Sequence, residues 1–204
     1  MLTKEQINIF SVFRKNLFSS LTFRQIKEQS GQKSNGVVQI AVNEFKRQGI
    51  VKTKTVGDVT IYSPDLESNL SLSYLNLINA SETGKKRFPK DVLEEVQKRL
   101  LKRTEFFILA VFGSHAKGGA SEKSDMDIAL IVDSERTKKD VTPLLETVKR
   151  REITPLDYHI FTRDEFLEML KSEHENVGKQ IYRDNIIYYG YPEFCNLIRC
   201  VGVI

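Results

Sequence analysis

The sequence predicts an α+β chain, a small helical unit with a hairpin followed by a small mixed-sheet domain with flanking helices. Two observations carry this. After residue 104, the apolar runs FFILAVFGS, DIALIVD and TPLDYHIF alternate with helix-forming segments. Before residue 64, three helical patterns give way to two β-branched runs around a Gly-Asp pair. The length of 204 residues allows one large domain or two small ones. The expected division is 1–64, a helical connector over 65–103, and 104–204.

Within the first part, Thr3 can cap a helix reaching about Arg14, with Ile7, Ile9, Phe10 and Phe13 on or near its buried face. Thr22 can cap a second helix in TFRQIKEQ, and SGQKSNG is turn chemistry. A third helix is expected over Val37–Gln48, with Val38, Ile40, Ala41, Val42 and Phe45 apolar and Gly49 as its stop. IVKTKTVGDVTIYSP then reads as a hairpin turning at Gly57-Asp58. Three helices and a hairpin in this order make the winged helix-turn-helix pattern. In that pattern the third helix enters the major groove and the wing touches phosphate. The groups so presented are Lys33, Ser34, Asn35, Gln39, Asn43, Lys46 and Arg47, with Lys52 and Lys54 on the wing. They suit DNA; contact with protein, or dimerisation, is the competing reading.

The connector carries a leucine-rich stripe over Leu66–Ile78, a polar stretch over Ala80–Lys86, and an amphipathic helix over Asp91–Arg103 with Val92, Val96 and Leu100 on one face. The stripe reads first as core packing and second as a homodimer surface. Beyond the three apolar strands, helices are expected over Lys138–Arg150, Arg163–Lys171 and Glu175–Arg183, followed by a short extended IIYYG.

Composition excludes little. A net charge of +4 permits contact with nucleic acid or nucleotide phosphates and compels neither. No apolar run approaches the length needed to span a bilayer. MLTKEQINIF lacks the basic and apolar regions of a secretory signal. Cys195 and Cys200 are too few for a disulfide framework and suit a reducing cytosol, so a cytoplasmic location away from membranes is expected.

The chemistry gathers around the first two strands. FFILAVFGS ends at Gly113-Ser114, where glycine lets backbone approach a phosphate and serine adds a hydroxyl. Gly-Ser alone is a common turn. Ser124-Asp125-Met126-Asp127 then opens DIALIVD, and residues two apart on a strand share a face. Asp125 and Asp127 project together, with Met126 toward the core. Two close carboxylates repel unless a cation sits between them, and oxygen ligands suit Mg²⁺ or Mn²⁺. Asp157 lies in the otherwise apolar TPLDYHIF, where an acid is costly to bury unless paired or bound to metal. Alternatively, it faces water at a sheet edge or pairs with a lysine. Beside Asp125 and Asp127 the metal reading is the better one.

Taken together, GSHAKGGASEKSDMDIALIV resembles the signature of the DNA polymerase β-type nucleotidyltransferase superfamily, and in particular its minimal nucleotidyltransferases, which include antitoxin partners of HEPN-domain toxins. ENVGKQIYRDNIIYYG resembles the C-terminal part of such domains. The resemblance covers roughly residues 104–190. It implies a metal-dependent transfer of a nucleoside monophosphate, AMP favoured, from a nucleoside triphosphate such as ATP to a hydroxyl of a protein or small molecule. Gly113, Ser114 and Ser124 would hold the nucleotide. Asp125 and Asp127 would ligate two divalent ions, and Asp157 would complete the metal site and help activate the acceptor. Lys117, with Lys123 second, would face the pyrophosphate; lysine stands where the minimal family usually has arginine, and lacks the bidentate fork. A HEPN-type partner protein is also implied. The alternative is a winged-helix regulator whose second domain binds nucleotide or a partner without turnover. His115 reads as a solvated loop residue. His159 shares a strand face with Asp157 and serves packing or support of that carboxylate. Tyr188, Tyr189 and Tyr191 read as packing rather than a base-stacking platform.

Overall fold

The computed structural model describes residues 1–14, 17–86, 88–121, 124–151 and 155–201. They pack as two compact units that divide between Ala80 and Ser81.

Unit 1 opens with α1 (Lys4–Phe10), whose first turn is closed by a reciprocal capping box between Thr3 and Gln6. A single 3-10 turn, Ser11–Phe13, extends it. The short β1 (Leu21–Thr22) leads into α2 (Phe23–Gln29), capped by Thr22 and Gln25 in the same way. α3 (Asn35–Arg47) starts two residues before the expected Val37. Ser34 caps it by accepting from the Val37 N–H, so its side chain serves the helix. β2 (Val51–Val56) and β3 (Val59–Pro64) pair antiparallel across the turn at Gly57, whose φ of +59° suits glycine. β1, which the sequence did not signal, adds to β3 and makes a sheet of order β1-β3-β2. Phe10 centres the core, its ring 5.2 Å from Phe45 and 5.6 Å from Phe13.

α4 (Asn69–Lys85) runs through both the leucine stripe and the polar stretch of the connector. Its Tyr74, Leu75 and Ile78 are buried, and Asn79 accepts a 2.8 Å hydrogen bond from Arg14. The stripe is therefore split: Leu66, Leu75 and Ile78 pack in the core of unit 1, whereas Leu70 and Leu77 are exposed. α5 (Lys90–Leu100) buries Val92, Leu93, Val96 and Leu100 in the core of unit 2. Residues 65–103, expected as a separate connector, are thus shared between the units.

Unit 2 is a four-stranded sheet with helices on both faces. β4 (Phe107–Val111) leads through the single-turn α6 (Gly113–Lys117) to β5 (Met126–Val132). α7 (Glu135–Arg151) crosses over to β6 (Leu156–Thr162), followed by α8 (Arg163–Lys171), α9 (Val177–Arg183), β7 (Ile186–Tyr189) and α10 (Tyr191–Arg199). The order is β6-β5-β4-β7, with β5 antiparallel to β4 and parallel to β6. β4 is wholly buried, and β5 is buried except at Asp127, which accounts for their continuous apolar runs. On one face α5 and α7 pack Val96, Leu100, Val141 and Leu145 against Leu109, Val111, Ile128 and Leu130. On the other, α8 contacts β5 and β6, and α10 contacts β4. α10 lies past the last element expected; it buries Tyr191, Phe194, Cys195, Leu197 and Ile198. Among the described residues, no helix is long and apolar enough to cross a membrane.

Thr162 ends β6 and also caps α8, its side chain accepting from the Glu165 N–H while Glu165 accepts from the Thr162 N–H. Thr162→Ala is expected to lower stability by about 1 kcal/mol, read as a shifted midpoint in denaturant titration.

Candidate functional site

The strand-to-helix turn after β4 is built on Gly113. The Phe112 N–H donates to the Asp127 carbonyl at 3.0 Å, which ties the end of β4 to the start of β5. Gly113 then takes a φ of +65°, and a Cβ there would lie 2.1 Å from Asp127 Oδ2. Two independent constraints, handedness and space, thus demand glycine at this position. They also bring the two halves of the motif into contact: the Gly113 backbone lies directly against the Asp127 carboxylate. Ser114 follows in the first turn of α6, half-buried, and among the described residues no side chain caps that turn.

His115 departs from the expected solvated residue. It is only 8% exposed, and its Nε2 lies 3.3 Å from the Ser124 carbonyl. A carbonyl only accepts, so Nε2 carries the proton; Nδ1 is buried and has no hydrogen-bond partner among the described residues. The loop it meets is closed on itself, the Ser121 N–H donating to Ser124 Oγ at 2.9 Å and the Ser124 N–H to the Ser121 carbonyl at 3.1 Å. Ser124, expected to bind nucleotide, braces the approach to Asp125. Lys117 extends to Asp184, with Nζ 3.3 Å from Oδ2. Lys123 lies outside the described residues.

The carboxylates are placed by strand register. Asp125 is exposed just before β5, Met126 is fully buried, and Asp127 is half-buried, as alternation along a strand requires. The parallel pairing of β5 with β6 sets Asp127 opposite Asp157. Asp157 itself corrects an expectation. β6 is an edge strand, and the Asp157 side chain is 53% exposed, near Lys149 Nζ and His159 Nε2, each at 3.8 Å. The cost of burial therefore gives no argument for metal there; its place opposite Asp127 does.

Burial raises the Asp127 carboxyl above its ordinary value. The charges of Asp157 and then Asp125 push it the same way, and His115 and His159 oppose them. Among the described residues, no three His, Cys, Asp or Glu side chains converge closely enough to make a ready metal-ligand set. The chemistry of the donors nonetheless fits a hard divalent cation, because all three are carboxylates, with Asp157 and Asp125 both close enough to act on Asp127.

The surrounding rings are packing. His159 stacks on Phe161 with 5.9 Å between centroids and tilts against Phe112 at 5.8 Å. Tyr189 stacks on Phe107 at 4.4 Å, Tyr188 meets Phe88 edge-on at 6.4 Å, and Tyr191 is buried. The neighbouring Tyr158 donates to Glu146 and lies under Lys149, 5.5 Å from Nζ to the ring centre. Burial, followed by Glu146, pushes its hydroxyl up to about 12. Lys149 is thereby held between Tyr158 and Asp157. No local pattern marks Lys149, because α7 reaches β6 only in the folded chain.

In unit 1, Lys33, Asn35, Gln39, Asn43, Lys46 and Arg47 are all exposed on or just before α3, and Lys52 and Lys54 on β2. Several are engaged locally. Lys27 donates to Asn35 at 2.6 Å, Gln39 to Asn43 at 3.1 Å, Arg47 pairs with Glu44, and Lys52 with Asp65 and Glu67. Ile40, grouped above with the apolar residues of the helix, is 65% exposed among them.

Residues 94–190 match the family model described as Polymerase beta, Nucleotidyltransferase. The match begins within α5 and ends just past β7, and so takes in the whole sheet with Gly113, Ser114, Asp125, Asp127 and Asp157. It supports placing this segment in the nucleotidyltransferase superfamily, with nucleotidyl transfer as its reaction class. No curated protein and no solved structure matches the chain.

Proposed function

We propose that unit 2 is a divalent-metal-dependent nucleotidyltransferase that moves a nucleoside monophosphate, AMP favoured, from a nucleoside triphosphate to a hydroxyl of a protein or small molecule. The observation that carries this is the Gly113 backbone seated against Asp127, with Asp157 opposite it on the next strand. Asp125, Asp127 and Asp157 would hold Mg²⁺ or Mn²⁺, which when bound neutralises phosphate charge and favours in-line displacement. Gly113 holds the turn against Asp127 so that backbone N–H groups there can meet the triphosphate, and the Ser114 hydroxyl adds a donor. Lys117 is available to the leaving pyrophosphate, because a partly exposed ion pair such as its contact with Asp184 contributes only about 0–1 kcal/mol. Asp157, open to solvent, takes the proton of the acceptor hydroxyl as that oxygen bonds to the α-phosphorus and the bond to pyrophosphate breaks.

Labelled nucleoside triphosphates, Mg²⁺ and candidate acceptors test this reading. Wild-type protein is expected to label an acceptor, and Asp125→Ala and Asp127→Ala each to reduce labelling by at least about 100-fold. Labelling that survives both substitutions would sink the assigned site.

We further propose that unit 1 is a winged helix-turn-helix that binds DNA through α3 and the β2–β3 hairpin. Charge favours this. Residues 1–80 contain 10 Lys and Arg against 6 Asp and Glu, whereas residues 81–204 contain 21 of each, so the whole net charge of +4 lies in unit 1. Binding that weakens steeply with salt is expected, as counterion release requires; no retention of duplex at low salt would reject it.

A further inference from the structure

The outward face of α3 carries a feature that neither folding nor phosphate contact uses. Val38, Ala41, Val42 and Phe45 are its buried stripe, at the spacing of one helix face. Ile40 falls on the opposite side and is 65% exposed. It lies between exposed Gly36 one turn before and exposed Asn43 three residues after, with Gln39 alongside. An isolated aliphatic side chain costs little in water, but here it stands at the centre of a polar face. Gly36 is the second anomaly. It stands in the first turn of α3, and among the described residues a Cβ there would meet only Ser34 Oγ, at 3.7 Å, so no internal contact requires glycine. A smooth, close-approach position and an aliphatic knob thus adjoin two amide side chains.

This combination fits the floor of a DNA major groove better than another surface. Amide side chains pair with adenine edges, and an aliphatic contact distinguishes thymine by its 5-methyl group. The charge of unit 1 favours nucleic acid as the occupant. We infer that α3 reads a thymine through Ile40, with Gly36 permitting the helix to lie close against the duplex. The inference rests on the DNA-binding reading above and adds the base class recognised.

The test uses the full chain and a duplex library with a randomised core of about twenty base pairs, long enough for two half-sites one helical turn apart. Bound duplexes are expected to share a thymine. Replacing that thymine with deoxyuridine, which removes only the methyl group, should weaken wild-type binding about fourfold, as burying one methyl-sized group gives. Ile40→Ala should bind more weakly than wild type and be indifferent to the replacement. Gly36→Ala should bind at least about tenfold more weakly, as a displaced recognition helix loses a base contact, with no fall in melting temperature. Selective binding that ignores the methyl group, or full binding by Gly36→Ala, overturns the inference and leaves DNA binding standing. No duplex retained at low salt overturns both.

Discussion

Gly113→Ala is expected to abolish nucleotidyl transfer and to destabilise unit 2 together. A Cβ at this position meets Asp127 Oδ2 at 2.1 Å and Cγ at 3.0 Å, and the φ of +65° disfavours any L side chain. The left-handed backbone costs about 1–2 kcal/mol, and the forced shift of a packed neighbour about 1–3 kcal/mol more. Activity should fall at least about 100-fold, because displacing Asp127 by an ångström spoils alignment. A double-mutant cycle separates the two costs. In an Asp127→Ala background the two closest atoms are gone and the nearest remaining one is Cβ at 3.4 Å. The alanine at residue 113 should then cost only the backbone share. Denaturant titrations giving the same penalty in both backgrounds would mean that the glycine does not make room for this carboxylate.

Asp127→Asn is expected to stabilise the metal-free protein at neutral pH while removing activity. The folded Asp127 carboxyl titrates above its unfolded value, owing to burial and to Asp157 and Asp125. Between those two values the native state holds more protons than the unfolded chain, so stability falls as pH rises through the folded value. Above the folded value the wild type bears the full cost of the ionised carboxylate, and asparagine removes it. The gain should shrink with acidification and vanish below the ordinary carboxylate value of 3.8, where Asp127 is protonated in both states. Melting temperatures of the two proteins across pH check this; a constant gap would point to a packing effect. Mg²⁺ at about one hundred times its dissociation constant should stabilise wild type by about 2.7 kcal/mol and the asparagine variant by less.

What the sequence made legible was local chemistry. Thr3 and Thr22 cap the helices assigned to them, Gly57-Asp58 turns the hairpin, and Asp125 and Asp127 flank a buried Met126. These are settled within a few residues by sterics and hydrogen bonding. Ile40 was equally readable, because it stands two residues from Val38 and so about 200° around the helix; grouping it with its apolar neighbours hid that. Other features depend on distant chain. The apolar run around Asp157 does not tell an edge strand from a central one. His115 is buried only because Ser124 closes over it, and Lys117 meets Asp184 across 67 residues. The division at Ala80 falls inside α4, whose polar half is made of good helix formers and so carries no sequence break.

The double duty of Thr162 has a consequence for how the carboxylates stay aligned. Asp127 and Asp157 face one another only in one frame of the β5–β6 ladder; displacement by a single residue would present Leu156 or Tyr158 instead. Parallel pairing through a long crossover gives no tight turn to hold that frame. It is pinned at the ends. The Met126 N–H donates to the Pro155 carbonyl at 2.8 Å, just ahead of β6, and Thr162 closes the strand as the cap of α8. A slip of β6 would therefore undo the start of α8, so the helix acts as a ratchet on the strand. One residue added between Pro155 and Thr162 should dismantle the site.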